Sequence, residues 1–134
     1  MDRVFLDANV LFSAAYMQQS AFRRLWELED AELWTSGQAA DEALRSLAEK
    51  RPERVVDLHS LLSRVRIHAL EPPLQSLPED LRIEEKDRPV LLAAIEIPAT
   101  HLLTGDRNHF GRYYGQTIGG VLVLPPVEYL RSRR

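Results

Sequence analysis

The chain has 134 residues, a formal net charge of −3, 45% hydrophobic and 28% charged residues, which is the balance of one ordinary globular domain, expected to span 1–134. It has no cysteine, which excludes disulfides and thiolate metal sites, and no apolar run approaches the length of a membrane span. Charges at Asp2 and Arg3 leave no signal-peptide pattern in the sequence, so a cytoplasmic protein is expected.

The apolar run Arg3–Leu6 reads as a first strand, after which Asp7-Ala8-Asn9 turns the chain into the apolar stretch Val10–Tyr16. Phe22, Leu25, Trp26 and Leu28 have helical spacing, which predicts a helix over Ser20–Glu29. A second strand is expected at Glu32–Thr35, then a turn at Ser36-Gly37 and a helix over Gln38–Lys50 with Ala40, Ala43, Leu44 and Leu47 on one face. Pro52 suits the first position of a helix reaching Arg64, and Val65–Leu70 alternates as a third strand does. Pro72–Glu85 reads as the most mobile loop, with a short helix near Pro78–Ile83. Asp87 is placed as the N-cap of a helix over Arg88–Glu96, with Pro89 in its first turn. His101–Thr104 is the fourth strand. Gly119-Gly120 precede a fifth at Val121–Leu124, and Pro125-Pro126 open a last helix over Val127–Arg131. Strands alternating with helices predict an α/β fold: a parallel sheet of about five strands, helices on both faces and right-handed crossovers.

Two of these strands end in a carboxylate, Asp7 and Asp106. Ligands of open parallel sheets bind outside the carboxyl ends of the strands, and two acids placed there repel unless a cation lies between them. Asp41 and Glu42 follow the second strand, and Asp87 opens the helix that feeds the fourth. Three or four carboxylates without sulfur or imidazole partners make a hard-oxygen site suited to Mg²⁺ or Mn²⁺. The chemistry such a site serves is phosphodiester hydrolysis, in which metal-activated water attacks and no histidine base is needed. Each acid taken singly also suits a turn, a cap or the positive end of a helix dipole; the argument rests on their meeting at one sheet edge.

The segment Val4-Phe5-Leu6-Asp7-Ala8-Asn9-Val10-Leu11-Phe12-Ser13 resembles the opening motif of PIN-domain ribonucleases, and Leu102-Leu103-Thr104-Gly105-Asp106-Arg107-Asn108-His109-Phe110 resembles their closing motif. Asp41-Glu42-Ala43-Leu44-Arg45-Ser46-Leu47 and Glu85-Lys86-Asp87-Arg88-Pro89-Val90-Leu91-Leu92-Ala93-Ala94 are similar to the two motifs between them, so the resemblance spans residues 3–124 in order. It implies a three-layer α/β/α sandwich and Mg²⁺- or Mn²⁺-dependent endoribonuclease activity. Asp7, Glu42, Asp87 and Asp106 are its implied catalytic metal ligands, with Asn9 and Thr104 as supporting polar residues. Glu42 matches the motif better than Asp41, and adjacent helical residues point about 100° apart, so both cannot face one site equally. Many small bacterial members are toxins of VapBC-type pairs. The resemblance therefore also implies an RNA substrate, an antitoxin partner and a homodimer.

The alternative is a catalytically weak PIN-like module that binds RNA or protein without cutting. A phospho-accepting signalling domain wants a lysine on a late strand, but Lys50 and Lys86 are the only lysines. A dehalogenase-type phosphatase wants a second acid where Asn9 stands. The histidines His59, His68, His101 and His109 show no metal-ligand spacing, and only His109, three residues after Asp106, is placed to touch substrate. Arg88 and Arg107 flank acids and are expected to tether a carboxylate rather than meet phosphate. Fifteen arginines outnumber the two lysines, and Arg131-Ser132-Arg133-Arg134 forms a small basic tail, solvated or in contact with RNA or a partner. Tyr16, Phe22, Trp26 and Trp34 are expected in the core or in a dimer surface.

Overall fold

A computed structural model of the chain describes residues 1–69, 77 and 81–133. Its strands are β1 (Asp2–Leu6), β2 (Ala31–Ser36), β3 (Arg66–His68), β4 (His101–Leu103), β5 (Thr117–Ile118) and β6 (Val121–Leu124). The helices are α1 (Ala8–Tyr16), α2 (Gly37–Lys50), α3 (Val55–Leu62), α4 (Arg88–Glu96), α5 (Arg107–Phe110) and α6 (Pro126–Arg131). The strands form one sheet in the order β3-β2-β1-β4-β6-β5, parallel throughout except for the antiparallel β5–β6 pair.

Alternation along the central strands divides the core into two layers. Val4, Leu6 and Leu103 point to one face and pack with Leu11, Leu47, Leu58 and Tyr129 from the α1, α2, α3 and α6 layer. Phe5 and Leu102 point to the other face and meet Leu91, Ile95 and Phe110 from α4 and α5. Strands covered on both faces are apolar at every position, which is why Val4-Phe5-Leu6 and Leu102-Leu103 read as continuous apolar runs.

Among the described residues the sheet has six strands, one more than the sequence suggested. The missed strand is β5, which pairs with β6 through a two-residue turn at Gly119 and Gly120, with φ of +57° and +86°. Two positive φ values in succession are the signature of the tight hairpin turn whose twist matches antiparallel strands. The segment expected as an α-helix over Ser20–Glu29 is a 3₁₀ helix at Ala21–Glu27. Tertiary bonds pin it instead of a long helical ladder: Arg23 Nε donates to the Ala14 carbonyl at 2.7 Å, and Trp26 Nε1 to the Leu61 carbonyl at 3.0 Å.

Ser36-Gly37 is not a separate turn. Ser36 ends β2 and caps α2 directly, its hydroxyl accepting the Ala39 amide at 3.0 Å. Pro52 begins a 3₁₀ turn, Pro52–Arg54, from which α3 continues. Most of the loop expected at Pro72–Glu85, the start of its short helix and Leu70 of the third strand lie outside the described residues. From 81 to 84 there is no regular structure, and Glu85–Asp87 is a 3₁₀ turn leading into α4. No described helix is long and apolar enough to cross a membrane.

Candidate active site

The carboxyl ends of β1, β2 and β4 and the start of α4 meet at one edge of the sheet, around a cleft of about 410 Å³. Asp7, Glu42, Asp87 and Asp106 all line it. Asp41 does not, being exposed on another side of α2. Asn9 and His109 are on the lining as well.

Asp7 is the innermost acid, only 6% exposed. Its Oδ1 accepts the Ala8 amide at 2.8 Å as α1 begins. Its Oδ2 accepts the Thr104 hydroxyl at 2.8 Å and the Asn9 amide nitrogen at 3.1 Å. Burial pushes its pKa from 3.8 to about 6; the bonds from Thr104 and Ala8 oppose this, while the charges of Glu42 and Asp87 add to it. Ionising this carboxylate therefore costs free energy unless a cation compensates it.

Thr104 is fully buried and joins the two halves of the site. While donating to Asp7, its hydroxyl accepts from Asn9 Nδ2 at 3.2 Å and from the Asp106 amide at 3.2 Å. Asn9 Oδ1 accepts the Gly105 amide at 2.7 Å, and Tyr114 donates its hydroxyl to the Thr104 carbonyl at 2.8 Å. Asn9 and Thr104 thus fix the orientation of Asp7 and the turn that carries Asp106. Asp106 itself caps α5, its Oδ1 accepting the His109 amide at 3.3 Å.

Asp87 holds the N-cap position of α4, as expected, but makes no capping hydrogen bond. The cause is backbone: Asp87 arrives from a 3₁₀ turn with φ −95° and ψ −12°, and a side-chain cap needs an extended residue there. Its carboxylate faces His109 instead, with Oδ2 2.7 Å from Nδ1. The same Nδ1 lies 2.9 Å from Asp106 Oδ2, and His109 Nε2 lies 3.6 Å from Glu84 Oε1. Burial raises the Asp87 pKa and so does the Asp106 charge, while His109 pulls it down.

Asp87 Oδ2 and His109 Nδ1 are both shut off from solvent, and neither forms an aligned hydrogen bond. Buried polar atoms close together without aligned partners are what a shared cation would satisfy. The donor set present, carboxylates with one imidazole, fits a divalent cation, and Glu84, Asp87 and His109 can each offer an atom to a common point.

The group that bridges Asp87 and Asp106 is therefore His109, not the expected arginine tether; neither Arg88 nor Arg107 pairs with any of the four acids. His109 and Glu84 were the residues sequence reasoning undervalued. Both stand three positions from an acid of the site, a spacing that shares one face of a helical turn. The remaining histidines do not line the cleft: His68 faces Glu96 at 3.5 Å, His101 packs edge-on against Tyr129, and His59 is exposed. Trp26 and Trp34 are half-buried with bonded indoles, and Tyr16 is exposed beneath the Arg51 guanidinium.

No protein-family model and no curated protein matches the chain. Solved structures do match. VapBC2 from Rickettsia felis, bound to a DNA fragment from its promoter, is 18% identical, with 92% of this chain and 98% of that chain covered at a TM-score of 0.68. VapBC-1 from nontypeable Haemophilus influenzae is 16% identical, with coverage of 93% and 98% and a TM-score of 0.58. VapC20 from Mycobacterium tuberculosis, a sarcin-ricin loop cleaving toxin, is 14% identical, with coverage of 78% and 92% and a TM-score of 0.57. Likeness at such identities is a likeness of fold, and the fold of this chain is the VapC-like PIN fold.

Proposed function

We propose that the chain is a metal-dependent endoribonuclease, the toxin of a VapBC-type pair, which hydrolyses phosphodiester bonds of RNA. The observation that carries this reading is the convergence of Asp7, Glu42, Asp87 and Asp106 on one open cleft, with Asp7 buried and held by Asn9 and Thr104. The fold shared with VapC proteins supports it.

Asp7, Asp87 and Asp106 are the residues that would hold a divalent cation, Mg²⁺ or Mn²⁺, with Glu42 reaching in from α2. Bound there, such a cation would acidify water and offset charge on the phosphate. The chain's own groups do the positioning. The Thr104 hydroxyl and the Asn9 amide aim the Asp7 carboxylate, and His109 separates the carboxylates of Asp87 and Asp106. An imidazole in the set makes Mn²⁺ a better match than for an all-oxygen site. Without a cation, the acids would repel the phosphate they are meant to receive.

The partner proposed is an antitoxin protein, as the VapBC structures from Rickettsia felis and Haemophilus influenzae suggest, and the toxin itself is proposed to be a homodimer. The test is cleavage of a mixed panel of RNAs with Mg²⁺, Mn²⁺ or EDTA, comparing the wild type with Asp7→Asn. Cutting that requires metal and drops at least about a hundredfold in the variant is the expected result. RNA that binds but stays intact with every metal would replace this reading with that of a non-cutting PIN-like binding module.

A further inference from the structure

The cleft continues beyond the acids along one stripe of α2. Gln38, Glu42, Ser46 and Lys50 all line it, and residues four apart share a helix face. From Glu42 to Lys50 the stripe advances about 12 Å along the helix axis. Phe12 of α1 lines the same stretch, and the Lys50 ammonium stands 5.4 Å above the centre of its ring. A ring face under a cation attracts it and limits where it can swing. The chain has only two lysines, Lys50 and Lys86, and both line this cleft. Lys86 has Glu84 at 3.9 Å, whereas no described carboxylate lies within ion-pair distance of Lys50.

We propose that Lys50, positioned by Phe12, receives a backbone phosphate of the substrate RNA in a subsite that runs along α2, a few nucleotides from the scissile bond. The inference rests on the nuclease reading for where the reacting phosphate sits, at the carboxylates. A ligand with a single charge cannot reach both ends of this track, while a strand with a phosphate at every nucleotide presents one to each. Lysine suits the task as a mobile point charge that follows a flexible backbone. Ser46, halfway between, offers a hydroxyl to the same strand.

Binding and cleavage separate this inference from the reading beneath it. A fluorescein-labelled, mixed-sequence single-stranded RNA is titrated by anisotropy with Ca²⁺ in place of Mg²⁺, across a range of salt. The proteins are the wild type, Lys50→Ala, Lys50→Arg and Arg66→Ala, the last removing an exposed cation that is not on the cleft. Lys50→Ala is expected to bind about tenfold more weakly at low salt and to lower the slope of log Kd against log salt by about 0.7, the value for one contact to a single strand. Lys50→Arg should recover most of the affinity, and Arg66→Ala should leave it within about twofold. In cleavage with Mn²⁺, Lys50→Ala should raise KM with little change in kcat, and the defect should vanish on oligonucleotides too short to reach Lys50.

An unchanged slope in Lys50→Ala, or an equal loss in Arg66→Ala, overturns the subsite. Wild type that binds through Lys50 yet cuts nothing overturns the nuclease and leaves the phosphate contact standing.

Discussion

Asp7 carries an electrostatic load that its neighbours only partly relieve. A carboxyl whose pKa is 3.8 in the unfolded chain and about 6 in the folded one holds its proton more tightly when folded. Native protein therefore binds more protons than unfolded protein between those values, so stability falls as pH rises through that window and the penalty is complete above it. The displacement corresponds to about 3 kcal/mol at most. Asp7→Asn removes the titration and also an acceptor for Thr104 and Asn9, which returns about 1 kcal/mol of loss. In urea unfolding with EDTA, the variant should therefore exceed the wild type by roughly 1–2 kcal/mol at pH 7.5 and lose that lead by pH 4. Parallel stability curves at the two pH values would show that Asp7 carries no such load. The same acid was legible in the sequence because it ends a buried strand. The spacing of His109 from Asp106 was legible too, but its contact with Asp87 was not, because no local spacing reports a contact between residues joined only through the sheet.

At the scale of elements, the site depends on β4 lying between β1 and β6, and the β5–β6 hairpin closes that side of the sheet. Its turn is demanding. A Cβ on Gly119 would stand 2.7 Å from Ile95 Cδ1 at a φ of +57°, whereas one on Gly120 meets nothing within 4 Å at φ +86°. Gly119→Ala should cost about 2–3 kcal/mol, combining left-handed strain with a clash, and Gly120→Ala about 1 kcal/mol from strain alone. Thermal melts of the two variants measure the difference; equal losses would show that Ile95 yields freely. The parallel strands were readable because burial on both faces makes them apolar throughout. Strand β5 was not, since two residues give no period and paired glycines before an apolar run suit the approach to one strand as well as a turn between two. The 3₁₀ segment Ala21–Glu27 escaped for another reason: apolar spacing fits an α-helix and a tighter winding almost equally.

Across the whole molecule, the two edges of the sheet have opposite characters. The carboxyl edge collects acids around a cleft, while the amino edge is tied shut. There the buried Tyr129 donates its hydroxyl to Asp2 at 2.8 Å, and Arg133 pairs with both Asp2 and Asp30. Most of the basic tail read from the sequence is thus engaged within the fold, with Arg131 on Glu128. Burial pushes the Tyr129 pKa up to about 12, so the hydroxyl remains a donor at any ordinary pH. Tyr129→Phe should cost about 1 kcal/mol in denaturant unfolding and leave the proposed RNA cleavage by the folded protein unchanged. A loss of activity in the folded variant would mean that the two edges are coupled through the sheet. None of this clasp was visible in the sequence, because its members come from opposite ends of the chain and have ordinary local surroundings.

The bond from Thr104 to Asp7 spans 97 residues of sequence, and this has a consequence for the order of events during synthesis. A ribosome that has delivered β1, α1 and α2 has released Asp7, Asn9 and Glu42 but neither Thr104 nor Asp106. Closing so long a loop is slow and must await β4, which fills the place between β1 and β6. A partly synthesised chain therefore carries the first carboxylates of the cleft without the pair that completes it. The cleft takes shape only once β4 has joined the sheet, so its geometry reports completion of the fold rather than the arrival of any one motif.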